Sequence, residues 1–308
     1  MSEELEDPII EEPIIPIRTL EIGKVTLCHP NQINNAVLSG GSWNTNLPLN
    51  HLKTPIFSQA ARTTDTQLSS SIINCVFSPA KPLDVVALAN HNLSVSARVR
   101  VRMFANPNFT VELWNSGWQD VWTSIFSSRQ LEWEFDNWWL GTPSEEDRAS
   151  VTSLTPIFTV NTQVVSSMRI EIDDVGNPDG YIQIGRLFSG GAWQPKYNAE
   201  YGISYGHQIN TRFETAFDMN QTEYAEVKTP KRTVAFQLSD LSEEDGFQQI
   251  LRMQRTQGLH GEILYTEDVQ GGQGSFVKTF IGRHQDVSPL THPYFNSFSN
   301  SINLVEIL

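Results

Sequence analysis

Six of the eight tryptophans, Trp114, Trp118, Trp122, Trp133, Trp138 and Trp139, fall between residues 114 and 139. An exposed tryptophan offers a broad apolar face and one N–H donor, which suits stacking on a sugar ring or anchoring an interface. A buried one simply fills a core. Trp118, Trp122, Trp138 and Trp139 are the candidates for glycan or interface contact. On a strand, the adjacent Trp138 and Trp139 would point to opposite faces. One of them then needs a second covering surface: a loop, another domain or a partner.

Other groupings carry less chemistry. Asp173-Asp174 with Asn177 and Asp179 is the best calcium candidate, because clustered oxygens suit that ion. The spacing is not that of an EF-hand, since Ile184 stands where the last carboxylate ligand would be, and a turn at Asn177–Gly180 already accounts for two of the four residues. His284-Gln285-Asp286 supplies two ligand types without a visible third. Gly271-Gly272-Gln273-Gly274 lies between two expected strands, which makes it a loop and not a phosphate cradle. G-x-S-x-G, H-E-x-x-H and C-x-x-C are all absent. Any of the 35 acidic residues could pair, and nothing raises one pair above another. No enzyme, cofactor or metal is therefore expected.

The chain has 308 residues, enough for two domains or one large sandwich. A net charge of -14 repels duplex nucleic acid on average. Cys28 and Cys75 are too few for a disulfide framework and read as small buried thiols, with a single pairing as the alternative. The N-terminus lacks the basic and apolar regions of a signal peptide, so synthesis and folding in the cytoplasm are expected. No apolar run approaches the ~20 residues of a membrane span.

The elements that must position these residues are mostly strands. Residues 1–17 form an acidic arm. Its six carboxylates (Glu3, Glu4, Glu6, Asp7, Glu11, Glu12) supply -6 of the -14, and Pro8, Pro13 and Pro16 favour extended backbone. The paired isoleucines Ile9-Ile10 and Ile14-Ile15 suit docking on a neighbour, against the plainer alternative of a solvated tail. Ser94–Phe104 alternates strictly, with Val95, Ala97, Val99, Val101 and Met103 on one face and Ser96, Arg98, Arg100 and Arg102 on the other. Met168–Asp173 alternates too, and Asn177-Pro178-Asp179-Gly180 predicts a turn returning Tyr181–Phe188 as its hairpin partner. No amphipathic helix is expected before about residue 240. Thr233–Leu238 reads as a strand, and Ser242-Glu243-Glu244-Asp245 opens a helix near 242–257 with Phe247, Ile250 and Leu251 on one face and Gly258 as its stop. Ser301–Leu308 reads as a terminal strand, either deep in its own sheet or paired at an interface. The division expected is 1–17 arm, 18–195 sandwich and 196–308 barrel or sandwich with one helix.

Several phrases then carry a resemblance: Ser39-Gly40-Gly41-Ser42-Trp43, Asn90-His91-Asn92-Leu93-Ser94, Trp133-Glu134 with Asn137-Trp138-Trp139, and Gly185-Arg186-Leu187-Phe188 leading to Trp193-Gln194-Pro195. Together they resemble virion structural proteins of long-tailed bacteriophages, from the tail tip or baseplate (distal-tail-like). The resemblance implies a mainly β fold, with a galactose-binding-like jelly roll followed by a small β-barrel domain that forms rings. It also implies a non-enzymatic homo-oligomer in the virion tail, assembled in the host cytoplasm, whose partners are the tail tube, hub and fibres. The alternative is a carbohydrate-binding module contacting host surface glycan.

Overall fold

The computed structural model describes residues 19–122, 133, 138, 141–215, 223–270 and 275–308. The fold is mainly β, as expected. Among these residues there are two eight-stranded antiparallel sheets and one two-stranded hairpin.

The first sheet runs, in spatial order, Ala61–Arg62, Gln183–Gly190, Ile73–His91, Leu154–Asp173, Arg98–Phe104 and Glu112–Asn115, with Val37–Ser39 paired to the third of these and Gln119–Asp120 to the fifth. Ile73–His91 and Leu154–Asp173 are long enough to serve two layers. Their register shifts between Val76 and Lys81 and again between Leu83 and Val85. Pro79 and Pro82 lie in this stretch and have no N–H to give to a ladder, so the pair bends there. Beyond the bend in chain direction, Ile73–His91 pairs with Gln183–Gly190 and Leu154–Asp173 pairs with Arg98–Phe104; before it, Ile73–His91 pairs with Val37–Ser39. The two layers close over one core that includes Ile73, Leu88, Val99, Val101, Met168 and Ile170.

The second sheet runs Ala192–Trp193, Thr26–Cys28, Ile263–Thr266, Phe280–Val287, Ser297–Glu306, Lys231–Leu241 and Ser204–Gln208, with Thr291–Tyr294 paired to Ser297–Glu306. One face meets the sandwich through Cys28, Ala192, Leu264 and Ile281 against Val85, Ala87, Ala89 and Phe188. Val86 and Leu88 meanwhile face the sandwich core. This layer is covered on both sides, which explains the unbroken apolar run Val85–Ala89 where a half-buried strand would alternate. The other face of the second sheet, with Leu27, Val234, Phe236, Tyr265 and Leu304, is covered by the helical segment through Ile250 and Met253.

Several expectations are corrected. The strand expected at Ser94 begins at Arg98, because Ser94–Ala97 is a turn closed by Ala97 N–H donating to Ser94 C=O (3.1 Å). Val99, Val101 and Met103 are buried as read. The hairpin of Met168–Asp173 with Tyr181–Phe188 does not form. The turn exists, with Gly180 at φ 74° and its N–H bonded to Asn177 C=O, but it crosses between layers. Asn92 directs the crossing: its carbonyl oxygens accept from Gln183 N–H (2.7 Å) and Asn177 Nδ2 (2.9 Å). The returning strand Gln183–Gly190 therefore pairs with Ile73–His91. Thr26–Cys28 and Ala192–Trp193 lie within the 18–195 stretch yet belong to the second sheet.

The helix is present as Asp245–Leu251 and Arg252–Gln257, capped by Ser242 Oγ, which accepts from Asp245 N–H (3.0 Å). Its first part is a π-helix, which rotates the side chains away from the α-helical phase. Gly246, Ile250, Met253 and Gln257 face inward, while Phe247 is exposed and meets Phe298 edge-on. A second short helix, Glu145–Ser150, appears where none was expected. The terminal strand pairs on both sides and lies inside its own sheet.

Candidate functional site

The outward phase of Arg98–Phe104 places Arg98, Arg100 and Arg102 on the solvent face of the sandwich. The paired strand brings Asp173 opposite Arg98, Glu171 opposite Arg100 and Arg169 opposite Arg102. The first two pairs bond directly, at 2.7 Å for Arg98–Asp173 and 2.5 Å for Arg100–Glu171. Two arginines facing each other repel. Here they diverge, Arg102 to Glu112 (2.6 Å) and Arg169 to Asn74 (2.9 Å). The Arg102 hydrogen bond, and secondarily the one from Asn115, hold the Glu112 carboxyl below its ordinary range.

Trp118 is laid onto this lattice by a tight turn. Gly117 takes φ 67°, a conformation that side-chain-bearing residues resist. Ser116 anchors the turn to the neighbouring strand, its N–H donating to Val101 C=O (3.0 Å) and its hydroxyl accepting from Val101 N–H (2.9 Å). The half-buried ring lies under two guanidiniums, with the Arg100 Cζ 4.7 Å and the Arg98 Cζ 5.7 Å from a ring centroid. The arrangement combines an aromatic plate with guanidinium donors, carboxylate acceptors and the amides of Asn115 and Gln119. It can stack on an apolar ring face and hydrogen-bond its polar rim.

The other tryptophan candidates differ. Trp122 is part of the sandwich core edge: its Nε1 donates to Leu93 C=O (3.1 Å) and its ring meets His91 edge-on (centroids 5.8 Å). Trp138 is half-buried and packs edge-on against Trp133, which is 72% exposed. Trp139 and Gly271–Gly274 lie outside the described residues. Sequence reasoning missed the arginine–carboxylate lattice as part of the site. Its signal was present as Arg-x-Arg-x-Arg at 98–102 and Arg-x-Glu-x-Asp at 169–173, both on outward phases.

The metal candidates are accounted for otherwise. Asp174 is buried and accepts from the Ser94 N–H, the Ser94 hydroxyl and Asn177 Nδ2, while Asp179 accepts from Asn92 Nδ2 (2.7 Å). Asp286 accepts from Asn303 (2.8 Å), and His284 is buried. Among the described residues, no group of three or more His, Cys, Asp or Glu is arranged to hold a metal ion. Cys28 and Cys75 are unpaired and buried, and burial pushes both thiols up.

Two histidines, the buried His91 and the half-buried His29, set an acid limit. Burial pushes His91 down to about 3. Burial, then the nearby charges of Arg252 and His284, pushes His29 down to about 4. Below the unfolded value of about 6.5, the unfolded chain takes up protons that the folded chain refuses, so stability falls with pH. We expect a melting temperature that is level above pH 7 and declines steadily from pH 6.5 toward 4. A level profile from pH 7 to 4.5 would contradict this placement of the two rings.

No family model matches the sequence, and no curated protein matches it. Among solved structures, the chain is similar to a histidine mutant of the lectin binding domain of lectinolysin complexed with Lewis b, at 10% identity over 53% of this chain and 97% of that one, with a TM-score of 0.34. It is similar to CBM32-1 from a family 31 glycoside hydrolase of Clostridium perfringens, at 9% identity over 52% and 97%, with a TM-score of 0.33. It is also similar to an f-lectin (fucolectin) from striped bass (Morone saxatilis) serum, at 9% identity over 89% and 92%, with a TM-score of 0.29. Similarity at this level carries no conclusion about this chain's ligand. Among the described residues, no helix is long and apolar enough to cross a membrane.

Proposed function

We propose that this chain is a carbohydrate-binding protein whose sandwich holds glycan on the Trp118 face. The observation that carries the reading is the half-buried Trp118 ring set among Arg98, Arg100, Glu171 and Asp173. A pyranose has one face of C–H groups and a rim of hydroxyls. The ring suits the face, and the guanidiniums and carboxylates suit the rim, as both donors and acceptors are present. Binding, not catalysis, is the role this gives the sandwich. Trp118→Ala is expected to weaken glycan affinity by about 30-fold, the ~2 kcal/mol of a central tryptophan contact. Trp133→Ala is expected to leave it unchanged. Titration calorimetry of the two variants against the parent checks both, and equal affinities for parent and Trp118→Ala would remove Trp118 from the site.

A second reading is a ring-forming component of a bacteriophage tail tip, located in the virion and joined to tube, hub and fibres. A different observation favours it. Among the described residues, the second sheet ends in an open edge that continues into a solvent-exposed hairpin, Arg212–Thr215 with Glu223–Glu226. Such an edge suits assembly. The two readings are compatible, with glycan recognition on the sandwich and assembly through the second sheet. Mass photometry of the purified chain tests the second: closed oligomers support it, and a monomer at all concentrations opposes it.

A further inference from the structure

Residues 201–213 read Tyr-Gly-Ile-Ser-Tyr-Gly-His-Gln-Ile-Asn-Thr-Arg-Phe. Odd positions carry Tyr201, Ile203, Tyr205, Ile209 and Phe213, interrupted by His207 and Thr211, and even positions carry glycine or polar groups. Alternation of this kind marks a strand with one face meant for burial. The structure covers only the start of it. Ile203 packs on the second core, but Tyr205, Ile209 and Phe213 are about half or more exposed. Among the described residues, Ser204–Gln208 is also the last strand of its sheet, paired on one side only. Exposed edges are ordinarily blunted by charge, proline or a covering element. This five-residue edge holds Ser, Tyr, Gly, His and Gln, so its N–H and C=O row stands open to another strand.

The surroundings select the partner. Two of the chain's seven lysines border this edge: Lys231, opposite Gln208 on the paired side, and Lys278, whose Nζ is 5.7 Å from the Tyr205 ring. Lys278 also meets Glu267 (3.4 Å). The exposed hairpin strands beyond are acidic, with Glu214, Glu223 and Glu226 beside Arg212. A ligand strand should therefore be apolar, extended and acidic, and should lie over the lysine end. The sequence holds one such stretch. Asp7-Pro8-Ile9-Ile10-Glu11-Glu12-Pro13 has four successive residues with free N–H groups between its prolines, two of them isoleucines, with carboxylates at both ends.

We infer that the open edge Ser204–Gln208 takes residues 9–12 of a second copy of this chain as an added strand. Ile9 or Ile10 meets the Tyr205 side, and the arm's carboxylates face Lys231 and Lys278. A second copy is the occupant because the chain's own arm starts in the wrong place. Leu20 packs on the sandwich side of the second sheet, whereas Tyr205 lies opposite Val234 on the helix side, five strands away in sheet order. Five strand spacings are about 24 Å and the passage from one face of the sheet to the other adds about 10 Å, which takes up the whole of the about 35 Å that the ten residues from Ile10 to Leu20 can span and leaves none for pairing along the edge. The contact is heterologous, arm to edge, so repetition generates a ring or a filament. It is independent of the glycan reading.

The test uses the full chain, whose own two cysteines are fully buried. Two differently tagged preparations, one Ile10→Cys and one Tyr205→Cys, are mixed under mild oxidation and resolved without reductant. A cross-linked heterodimer is expected, and Lys231→Glu with Lys278→Glu is expected to suppress it. Phe213→Cys on the exposed hairpin replaces Tyr205→Cys if the latter does not fold. The inference is overturned if no heterodimer forms, if cross-linking occurs only in a chain carrying both cysteines, or if Val175→Cys on the sandwich captures Ile10→Cys equally well.

Discussion

Glu262→Ala is expected to destabilise the protein by about 3–5 kcal/mol, the usual consequence of leaving one charge of a buried pair without its partner. Glu262 precedes the second-sheet strand Ile263–Thr266, and Arg186 lies on the sandwich strand Gln183–Gly190. Arg186 is fully buried. Its Nε and one terminal nitrogen donate to Glu262 (2.8 and 2.6 Å), the other terminal nitrogen donates to Leu52 C=O (2.8 Å), and Asn34 takes a further bond. Asn31 Nδ2 completes the Glu262 carboxylate at 2.9 Å. The network thus joins the two sheets through groups that have no water to fall back on. Removing the carboxylate strands a guanidinium inside, whereas Arg186→Leu with Glu262→Leu removes both charges and is expected to cost less than the single change. Urea denaturation of the parent and the two variants gives the comparison. A loss below about 1 kcal/mol for Glu262→Ala, the range of exposed pairs, would contradict the burial of this network.

Val99→Asp is expected to abolish folding of the sandwich. Val99 is 1% exposed and pairs with Ile172 on one side and Gln119 on the other. A carboxylate there finds no cation on the inward face, since the arginines of the same strand all take the outward phase. The penalty for a buried unpaired ion is several kcal/mol, comparable with the 5–15 kcal/mol of a whole domain's stability. Arg98 cannot serve as the rescuer without breaking its bond to Asp173. A soluble variant that melts at the parental temperature would show that Arg98–Phe104 is not a central strand.

How much of this was legible in the sequence depends on the distance over which each feature is decided. Alternation within one strand is local, and Val99, Val101 and Met103 as well as Val234, Phe236 and Leu238 are buried as their phase predicts. Strand partnership is not local. Asn177–Gly180 has the same turn chemistry whether the next strand returns alongside or crosses to the other layer, and the choice is made by Asn92, 85 residues from Asn177. The strands Thr26–Cys28 and Ala192–Trp193 are three and two residues long, too short for any period to show. The helix was found from its Ser-Glu-Glu-Asp start, yet its buried face was misplaced because a π-helical turn shifts the phase and carries Phe247 outward. The same four residues stand at Ser144–Asp147, where Ser144 Oγ accepts from Asp147 N–H (3.1 Å) and opens the unexpected short helix. Of the candidate site, the tryptophan was visible and its setting was not. Asp173 reaches Arg98 across 75 residues, a register that no local pattern encodes.

The most direct measurement of the proposed function is a glycan array probed with the intact chain beside its Trp118→Ala variant, both checked for an unchanged melting temperature. The predicted result is selective binding of the parent to at least one class of glycan and loss of that signal in the variant. A parent that binds no glycan, or a variant that binds as the parent does, would contradict the assignment of the Trp118 face as a carbohydrate site.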